Sequence, residues 1–359
     1  MRDALAERLL GNVMEWSNED IARQRPALQA LASLKFDEYQ QFSPGMRFVE
    51  SLALWLHQFG TLEERKTAYE FVVSRLVFFS YAEMAHFAAI AYHDVIRPVF
   101  IDKAAMDASL PTYHISRVVS STAFKQLEAT SLFFGLSDGA RIDLFRRSNK
   151  ALSHEQIFPS YEISPEKVRE IRTWLNDKRG HADVVPTLVL LDDFTASGTS
   201  CLTSNGGQAK GKLAKFVARL QEDADWKKVV SFPKTRLLVV FYVATEQAIA
   251  SIEEGASVLS NSSTIDITVK CVQRIANDIC LQEEHIGPLI ELAKKYYDPL
   301  AKIKHPEWGG DVPFGYKNGG LPLVIHHNTP NNSIFILWAE DSDTVLPLFP
   351  RVSRHRRES

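Results

Sequence analysis

The sequence is poor in cysteine. Its 359 residues include three cysteines, Cys201, Cys271 and Cys280, with no Cys-x-x-Cys pair and no common zinc-binding spacing among them. The sequence therefore predicts neither a disulfide framework nor a zinc module. We expect these cysteines to be buried thiols in a protein of the reducing cytoplasm.

The sequence also has little net charge and no membrane-length apolar run. Lys and Arg number 41 against 44 Asp and Glu, a formal net charge of −3, which argues against charge-driven binding of nucleic acid by the whole surface. The most apolar long stretch, residues 76–92, is interrupted by Glu83 and His86 and is too short to cross a bilayer comfortably. With 45% apolar residues, the chain has the composition of a soluble globular protein, and no membrane partner is expected.

The residues that are present divide into two patterns. Up to residue 135 the apolar side chains recur at helical spacing, as in residues 46–59, and no run alternates with period two. From residue 136 onward, apolar runs of strand length alternate with helical segments. We predict a helical N-terminal domain over 1–135, an α/β core over 136–345 and a basic C-terminal tail over 346–359.

The predicted core alternates strands with helices. The strand candidates are residues 140–147, 184–193, 235–244, 264–272 and 321–327, and the helices between them include 165–178, 211–223, 245–256 and 285–297. Buried strands that alternate with helices are typical of βαβ units and a parallel sheet. The fold class predicted is therefore α/β, with a doubly wound parallel sheet.

One strand end carries the most informative segment. The apolar strand 184–193 ends in Asp192 and Asp193, and the loop after it contains small and hydroxyl-bearing residues: Thr195, Ala196, Ser197, Gly198, Thr199 and Ser200. Ligands of parallel sheets bind at the carboxyl ends of the strands. A Gly-containing loop that leads to a helix N-terminus can surround a phosphate with N–H groups, while two carboxylates can hold ribose hydroxyls or a Mg²⁺ carried by the ligand. The segment predicts a ribose-phosphate site; the alternative is a plain surface turn.

This segment resembles the signature of type I phosphoribosyltransferases, which bind 5-phosphoribosyl-1-pyrophosphate (PRPP). The resemblance implies that Asp192 and Asp193 are catalytic and hold the ribose hydroxyls, directly or through Mg²⁺. It also implies that loop 195–200 binds the 5′-phosphate. Some purine-type members place a carboxylate general base at the position of Ala196, so this sequence lacks that candidate base, as orotate-type members do.

Most of residues 18–340 resemble the phosphoribosyltransferase-like domains of bacterial conflict and phage-defence systems. The segments that carry this resemblance are FSPGMRFVESLALWL, GLSDGARIDLFRRSN, LSHEQIFPSYEIS and FGYKNGGLPLVIHHNTPNNSIFILW. The resemblance implies a parallel-sheet phosphoribosyltransferase-like core behind a helical N-terminal part. It further implies an antiphage effector that acts on a nucleobase, nucleotide or nucleic acid, in which case the chain is a phosphoribosyltransferase.

Other functions stay open at this point. A non-catalytic sensor could bind PRPP or a nucleotide and switch a partner protein of a defence system, because binding loops of this fold also occur in regulators. A nucleic-acid adaptor that uses the helical domain and the basic tail is a third possibility, and steep loss of binding with salt would favour it.

Further candidate ligand-binding residues follow two other strands. Arg146 and Arg147 lie at the end of the predicted strand 140–147, where two guanidinium groups suit a pyrophosphate leaving group; the alternative is a solvated strand end. Asn328 and Asn331 lie in a polar loop after the predicted strand 321–327, and we expect them to contact the substrate.

The segment 206–212 has the GxxxxGK spacing of a phosphate-binding P-loop. However, Leu213 stands where a P-loop has the Ser or Thr that binds Mg²⁺, and no strand directly precedes the segment, so we reject that function. A mobile Gly- and Lys-containing lid over PRPP and a solvated loop remain as alternatives.

Overall fold

The computed structural model describes residues 2–179, 183–281, 287–299, 313–339, 342 and 344–351. The last eight residues of the predicted basic tail, 352–359, lie outside the described residues. Within the described ranges, no helix combines the length and the hydropathy that crossing a membrane requires.

Helices account for most of the regular structure. They are α1 (Arg2–Val13), α2 (Asn18–Leu34), α3 (Phe48–His57), α4 (Leu62–Ser74), α5 (Tyr81–Ile90) with a π-helical continuation (Ala91–Ile96), α6 (Arg97–Asp107), α7 (Ile115–Ser120), α8 (Thr122–Thr130), α9 (Ile142–Ser148), α10 (Pro165–Arg179), α11 (Lys212–Glu222), α12 (Glu246–Ser263), α13 (Gly287–Lys295) and α14 (Phe335–Trp338). The strands are β1 (Val77–Phe79), β2 (Leu132–Gly135), β3 (Ile157–Phe158), β4 (Thr187–Thr195), β5 (Thr203–Asn205), β6 (Gln208–Lys210), β7 (Arg236–Thr245), β8 (Asp266–Ile275) and β9 (Leu323–Ile325).

The main sheet has five parallel strands in the order β3-β2-β4-β7-β8. Its central strands β4 and β7 are apolar on both faces and almost wholly buried, which is typical of parallel sheets covered by helices. Side chains of α10, α11 and α12 pack with those of β2, β4 and β7 in one buried cluster. The predicted α/β fold class is confirmed.

The chain forms two compact units. One comprises Met84–Asn277 and contains the five-stranded sheet. The other comprises Met1–Glu83 and Asp278–Ser359, and its core joins side chains of α3 and α4 to the buried helix α14. Leu348 and Phe349, within the range predicted as tail, are fully buried in that core. The units therefore follow different bounds from the predicted ranges 1–135, 136–345 and 346–359.

Several predicted elements are wrong in detail. The range 1–135 is not wholly helical, because it contains β1 and β2. Both are so short, and β2 so completely buried, that no period-two pattern marks them. Strand β9, inside the predicted strand 321–327, pairs with β1 rather than with the main sheet, with Leu323 opposite Val77.

The segment 140–147 was expected to be a strand, and it is helical from Ile142 onward. Charged and apolar residues alternate there, which suits a strand. The helix instead buries Phe145 and Asn149, four residues apart on one face, and Asn149 Nδ2 donates to the Phe145 carbonyl at 2.7 Å. Helix α12 also continues beyond the predicted range 245–256 to Ser263, and a Cβ atom at Gly255 would lie 2.9 Å from Leu202 Cγ.

Candidate functional site

The two aspartates lie where β4 extends beyond its neighbour β2. The β2–β4 pairing ends at Gly135 opposite Leu191, whereas β4 stays paired with β7 as far as Thr195. Asp192 and Asp193 are therefore held in extended backbone with one side no longer covered by a strand. They are 8% and 9% exposed, and carboxyls this buried usually have hydrogen-bond partners in the protein.

A loop after β2, residues 136–141, closes on the aspartates. The Leu136 amide donates to the Leu191 carbonyl at 2.8 Å, which continues the direction of the strand. The Ser137 hydroxyl then donates to Asp192 Oδ1. A Cβ atom added to Gly139 would lie 2.5 Å from Asp193 Oδ2, so a side chain there would displace the Asp193 carboxyl. Loop 136–141 is part of the site, and sequence analysis did not single it out.

Loop 136–141 ends in a strained residue. Arg141 has φ +46° and ψ +41°, a left-handed conformation that is uncommon for a residue other than glycine, and it caps the N-terminus of α9. Such conformations cluster at functional sites, where surrounding structure maintains them.

Lys212, the first residue of α11, completes the cluster. Its ammonium group donates to the Leu136 carbonyl at 3.2 Å, and its charge lowers the pKa of Asp192. Lys212 is the lysine of the GxxxxGK spacing and is not among the predicted site residues.

The protonation of Asp192 reflects its surroundings. Burial raises its pKa most, and the adjacent Asp193 carboxylate raises it further, while the Ser137 hydroxyl and Lys212 act in the opposite direction. The net result is a pKa well above the usual value for Asp. Two neighbouring carboxyls that resist simultaneous ionisation are a suitable place for a cation or for hydroxyl donors.

The site supplies only part of the ligand set that the predicted Mg²⁺ needs. Two carboxylates supply the oxygen ligands that Mg²⁺ prefers. Within the described ranges, no group of three or more His, Cys, Asp or Glu side chains is close enough together to hold a metal ion. The site therefore suits an ion that keeps waters and arrives with phosphate oxygens, rather than one enclosed by protein.

Loop 195–200 turns sharply over the N-terminus of α12. Gly198 has φ +71°, and a Cβ atom there would lie 2.8 Å from Ile252 Cγ1, so both conformation and space require glycine. Thr245, the N-cap of α12, donates from its hydroxyl to the Ala196 carbonyl at 2.7 Å and accepts from the Ala248 amide at 3.0 Å. The loop is thus fixed to the end of the neighbouring strand β7.

Some hydrogen-bond donors of this loop are used within the loop, and others are not. The Gly198 amide donates to Thr195 Oγ1 at 3.2 Å, and the Thr199 hydroxyl donates to Ser197 Oγ at 3.1 Å. Among the residues that the structure describes, the amides of Ser197, Thr199 and Ser200 have no acceptor. A loop with unused amides and hydroxyls can bind a phosphate group.

The predicted helix 211–223 is confirmed as α11, and a hairpin separates it from loop 195–200. A hairpin of β5 and β6 intervenes, and α11 starts at Lys212. Gly206 and Gly207 form the hairpin turn with φ +58° and +75°. A Cβ atom at Gly211 would lie 2.4 Å from the Cys201 carbonyl oxygen, so glycine lets the chain return to the end of loop 195–200. These roles explain the glycines of segment 206–212 without a P-loop.

A family model matches residues 52–351, well over half of the chain, and that family is PRTase-CE. The chain belongs to the PRTase-CE family. The resemblance to phosphoribosyltransferase-like proteins is confirmed at this level. Comparisons with curated proteins and with solved structures find no match.

In this PRTase-CE member, a buried tyrosine lies beside the aspartates. Tyr242 of β7 is fully buried, and among the described residues its hydroxyl has no hydrogen-bond partner. Burial and the charges of Asp193 and Asp192 hold its pKa well above the usual value for tyrosine. The hydroxyl is therefore a neutral donor next to the acidic pair.

Arg146 and Arg147 do not lie at a strand end in this PRTase-CE chain. Both are exposed residues of α9, and the strand that precedes the site loop is β2, which ends at Gly135. Their position therefore no longer supports pyrophosphate binding, and that role stays a prediction.

Asn328 and Asn331 belong to the unit formed by Met1–Glu83 and Asp278–Ser359. There Asn328 Oδ1 accepts from the Thr329 amide at 3.0 Å, and the Asn331 carbonyl accepts from the Tyr316 amide at 2.7 Å. These bonds give the two residues a part in local turns, and their contact with a substrate stays a prediction.

Proposed function

We propose that the chain binds PRPP, or a related ribose-phosphate nucleotide, and transfers its phosphoribosyl group to an acceptor. The observation that supports this most is the convergence of three segments at the carboxyl edge of the sheet. The Ser137 hydroxyl donates to Asp192 and Gly139 lies close to Asp193, while loop 195–200 follows the acidic pair directly at the end of β4. Membership of a phosphoribosyltransferase-like family agrees with the proposal.

Each segment suits one part of PRPP. Loop 195–200 offers amides and hydroxyls to the 5′-phosphate. The acidic pair can accept hydrogen bonds from the two ribose hydroxyls, because carboxylates are acceptors when ionised. Loop 136–141 follows the adjacent strand, and we assign the pyrophosphate to it in place of Arg146 and Arg147.

Mg²⁺ belongs to this proposal as an ion bound with PRPP. Asp192 and Asp193 would hold it. When bound, the ion neutralises charge on the pyrophosphate and so makes it a better leaving group. The residues of the chain orient the ribose between the two loops and exclude water from its C1 carbon.

The proposed reaction is a displacement at C1. A lone pair on the acceptor forms a bond to C1 while the C1–O bond to pyrophosphate breaks, and pyrophosphate leaves with that electron pair. The acceptor loses a proton to water or to a base. Ala196 cannot accept this proton, so we assign no general base within loop 195–200.

Turnover distinguishes an enzyme from a sensor. The assay measures pyrophosphate released from PRPP in the presence of purine and pyrimidine bases or an RNA oligonucleotide. We expect release by the wild-type protein and none by Asp192→Ala/Asp193→Ala, with Asp266→Asn at the opposite end of the sheet as a matched control. Binding of PRPP without any release would instead establish the non-catalytic sensor, and absence of binding would contradict both.

The resemblance to bacterial conflict systems supports a second step in the proposal, an effector role in antiphage defence in the cytoplasm. In this role the chain would act with a partner protein or on nucleic acid of the infected cell. The test is the efficiency of phage plating on bacteria that express the chain with its neighbouring genes. We expect protection that the Asp192→Ala/Asp193→Ala variant lacks; equal plating on both strains would contradict the defence role.

A further inference from the structure

The backbone of Lys212 is fixed to the end of loop 195–200. The Lys212 amide donates to the Ser200 carbonyl at 3.1 Å, and the Leu213 amide donates to the Cys201 carbonyl at 3.0 Å. Gly211 permits this approach because no side chain separates it from Cys201. The hairpin of β5 and β6 is therefore an excursion after which the chain returns to the site.

The side chain of Lys212 extends from α11 to the loop after β2. Its ammonium group donates to the Leu136 carbonyl at 3.2 Å, at the start of loop 136–141. An ammonium has three donors, and within the described part of the chain this carbonyl accounts for one of them. The residue is half-buried, so its charge is only partly screened by solvent.

The charges around the site make this cation significant. Loop 136–141 contains Asp138 and Arg141, whose charges offset each other, and the strand end adds the buried carboxyls of Asp192 and Asp193. PRPP carries its largest negative charge on the pyrophosphate. The Lys212 ammonium lies at the first carbonyl of loop 136–141, which would hold the pyrophosphate. Its charge offsets the repulsion between the pyrophosphate and the carboxylates that Mg²⁺ does not neutralise. A compact ammonium also suits a phosphate oxygen.

We propose that Lys212 contacts the pyrophosphate of PRPP and makes the site selective for ribose phosphates that carry a pyrophosphate at C1. This inference rests on the proposed function. The ammonium exchanges its bond with the Leu136 carbonyl for a pyrophosphate oxygen and stays close to Asp192. Lys212 is thus a specificity-determining residue that α11 supplies from outside the loop itself.

The alternative is that Lys212 only compensates the charge of Asp192. In that case every ligand of the acidic pair loses affinity alike when the lysine is removed. Contact with pyrophosphate instead predicts a loss confined to ligands that contain pyrophosphate. Ribose 5-phosphate provides the comparison, because it has the ribose and the 5′-phosphate and lacks the pyrophosphate.

The experiment is calorimetric titration of PRPP and of ribose 5-phosphate in Mg²⁺ buffer into wild type, Lys212→Met, Lys212→Arg and the control Lys215→Met. Lys215 is an exposed residue of the same helix. We expect Lys212→Met to weaken PRPP about tenfold or more, the usual effect of one charge-assisted hydrogen bond, and ribose 5-phosphate less than about threefold. Lys212→Arg should recover part of the loss, and Lys215→Met should bind both ligands as wild type does.

The possible outcomes separate the two proposals. If wild type binds no PRPP, the proposed function fails and this inference fails with it. If wild type binds PRPP and Lys212→Met binds it equally well, or loses both ligands equally, the inference alone is overturned. Thermal unfolding of each variant accompanies the titrations; if Lys212→Met is unfolded, Lys212→Gln replaces it under the same criteria.

Discussion

The hydroxyl of Ser137 donates a hydrogen bond to the carboxyl of Asp192 and so joins the loop after β2 to the end of β4. The bond exists because β2 stops at Gly135 while β4 continues, which leaves a side of the acidic pair for a loop to cover. The bond also favours the ionised form of Asp192, against the burial that opposes it. This pair of side chains thus links the position of loop 136–141 to the protonation of Asp192.

Removal of the Asp192 carboxylate should weaken recognition of the ribose. We expect Asp192→Asn to weaken PRPP about 10- to 100-fold, because a hydrogen bond to a charged group contributes about 1.5–3 kcal/mol. Calorimetric titration measures the loss. Asp266→Asn is the control, since Asp266 starts β8 and forms a surface ion pair with Arg236 at 3.3 Å. An equal loss in the control would contradict a local role for Asp192.

The raised pKa of Asp192 predicts how the stability of the ligand-free protein depends on pH. A carboxyl whose pKa is higher in the folded state stabilises the fold fully at pH values below its unfolded pKa, near 4. That stability is lost as the pH rises through the folded pKa, which burial and Asp193 raise to about 7. The free energy of unfolding should therefore fall between about pH 4 and pH 7 by up to about 4 kcal/mol from this group, because each unit of pKa difference corresponds to about 1.4 kcal/mol.

Urea unfolding of wild type and Asp192→Asn at pH 5 and pH 8, without Mg²⁺ or phosphate, isolates this effect. The Asn variant keeps a neutral group of the same shape, so it should be more stable than wild type at pH 8 and close to wild type at pH 5. A difference between the two proteins that is the same at both pH values would contradict the raised pKa.

Substitution by alanine should destabilise the protein more at Gly198 than at Gly206. At Gly198 a Cβ atom meets Ile252 Cγ1 at 2.8 Å and the Ala248 carbonyl at 3.0 Å, in a left-handed conformation. Gly198→Ala should therefore cost about 2–3 kcal/mol and abolish PRPP binding, because loop 195–200 must move. Gly206, in the hairpin turn, has no atom within 4 Å of such a Cβ, so Gly206→Ala should cost only about 1 kcal/mol of conformational strain.

Thermal unfolding and PRPP titration of both variants check this prediction. Intact ligand binding by Gly198→Ala would contradict the role of loop 195–200, whereas loss of binding by Gly206→Ala would place the hairpin turn in the site.

Loss of one tyrosine hydroxyl should stabilise the protein, and loss of another should destabilise it. Tyr242 buries a hydroxyl that has no partner among the described residues, so Tyr242→Phe should raise the free energy of unfolding by about 1 kcal/mol. Tyr39 is the matched case, because its hydroxyl bonds with Thr329 Oγ1 at 2.9 Å and donates to the Pro350 carbonyl at 2.7 Å. Tyr39→Phe should lower the free energy by about 1–2 kcal/mol. Calorimetric unfolding measures both, and destabilisation by Tyr242→Phe would indicate a partner for its hydroxyl.

The sequence predicts the centre of the candidate site because the signal is local. A continuous apolar run makes β4 recognisable as a buried parallel strand, and the acidic pair with loop 195–200 follows it directly. The positions of Lys212 and loop 136–141 in the site depend on the order of the strands and on the path of the β5–β6 hairpin. Residue types alone do not reveal either feature. Only the structure shows that β2 is the neighbour of β4, since four buried apolar residues carry no periodicity.

The error over α9 has a physical cause. Ile142 and Leu144 alternate with charged residues, a pattern that suits one face of a strand and also one turn of a helix. Phe145 and Asn149 are buried on the same side, which suits the helix, and Arg146 and Arg147 therefore lie in α9 rather than at a strand end.

Hydrogen–deuterium exchange across residues 195–200, with and without PRPP and Mg²⁺, tests the central claim most directly. The account predicts that PRPP slows exchange of the Ser197, Thr199 and Ser200 amides in the wild-type protein, since the 5′-phosphate becomes their acceptor. The Asp192→Asn/Asp193→Asn variant should show no such protection at the same ligand concentration. Unchanged exchange in this loop at saturating PRPP, or protection confined to another part of the chain, would contradict the account.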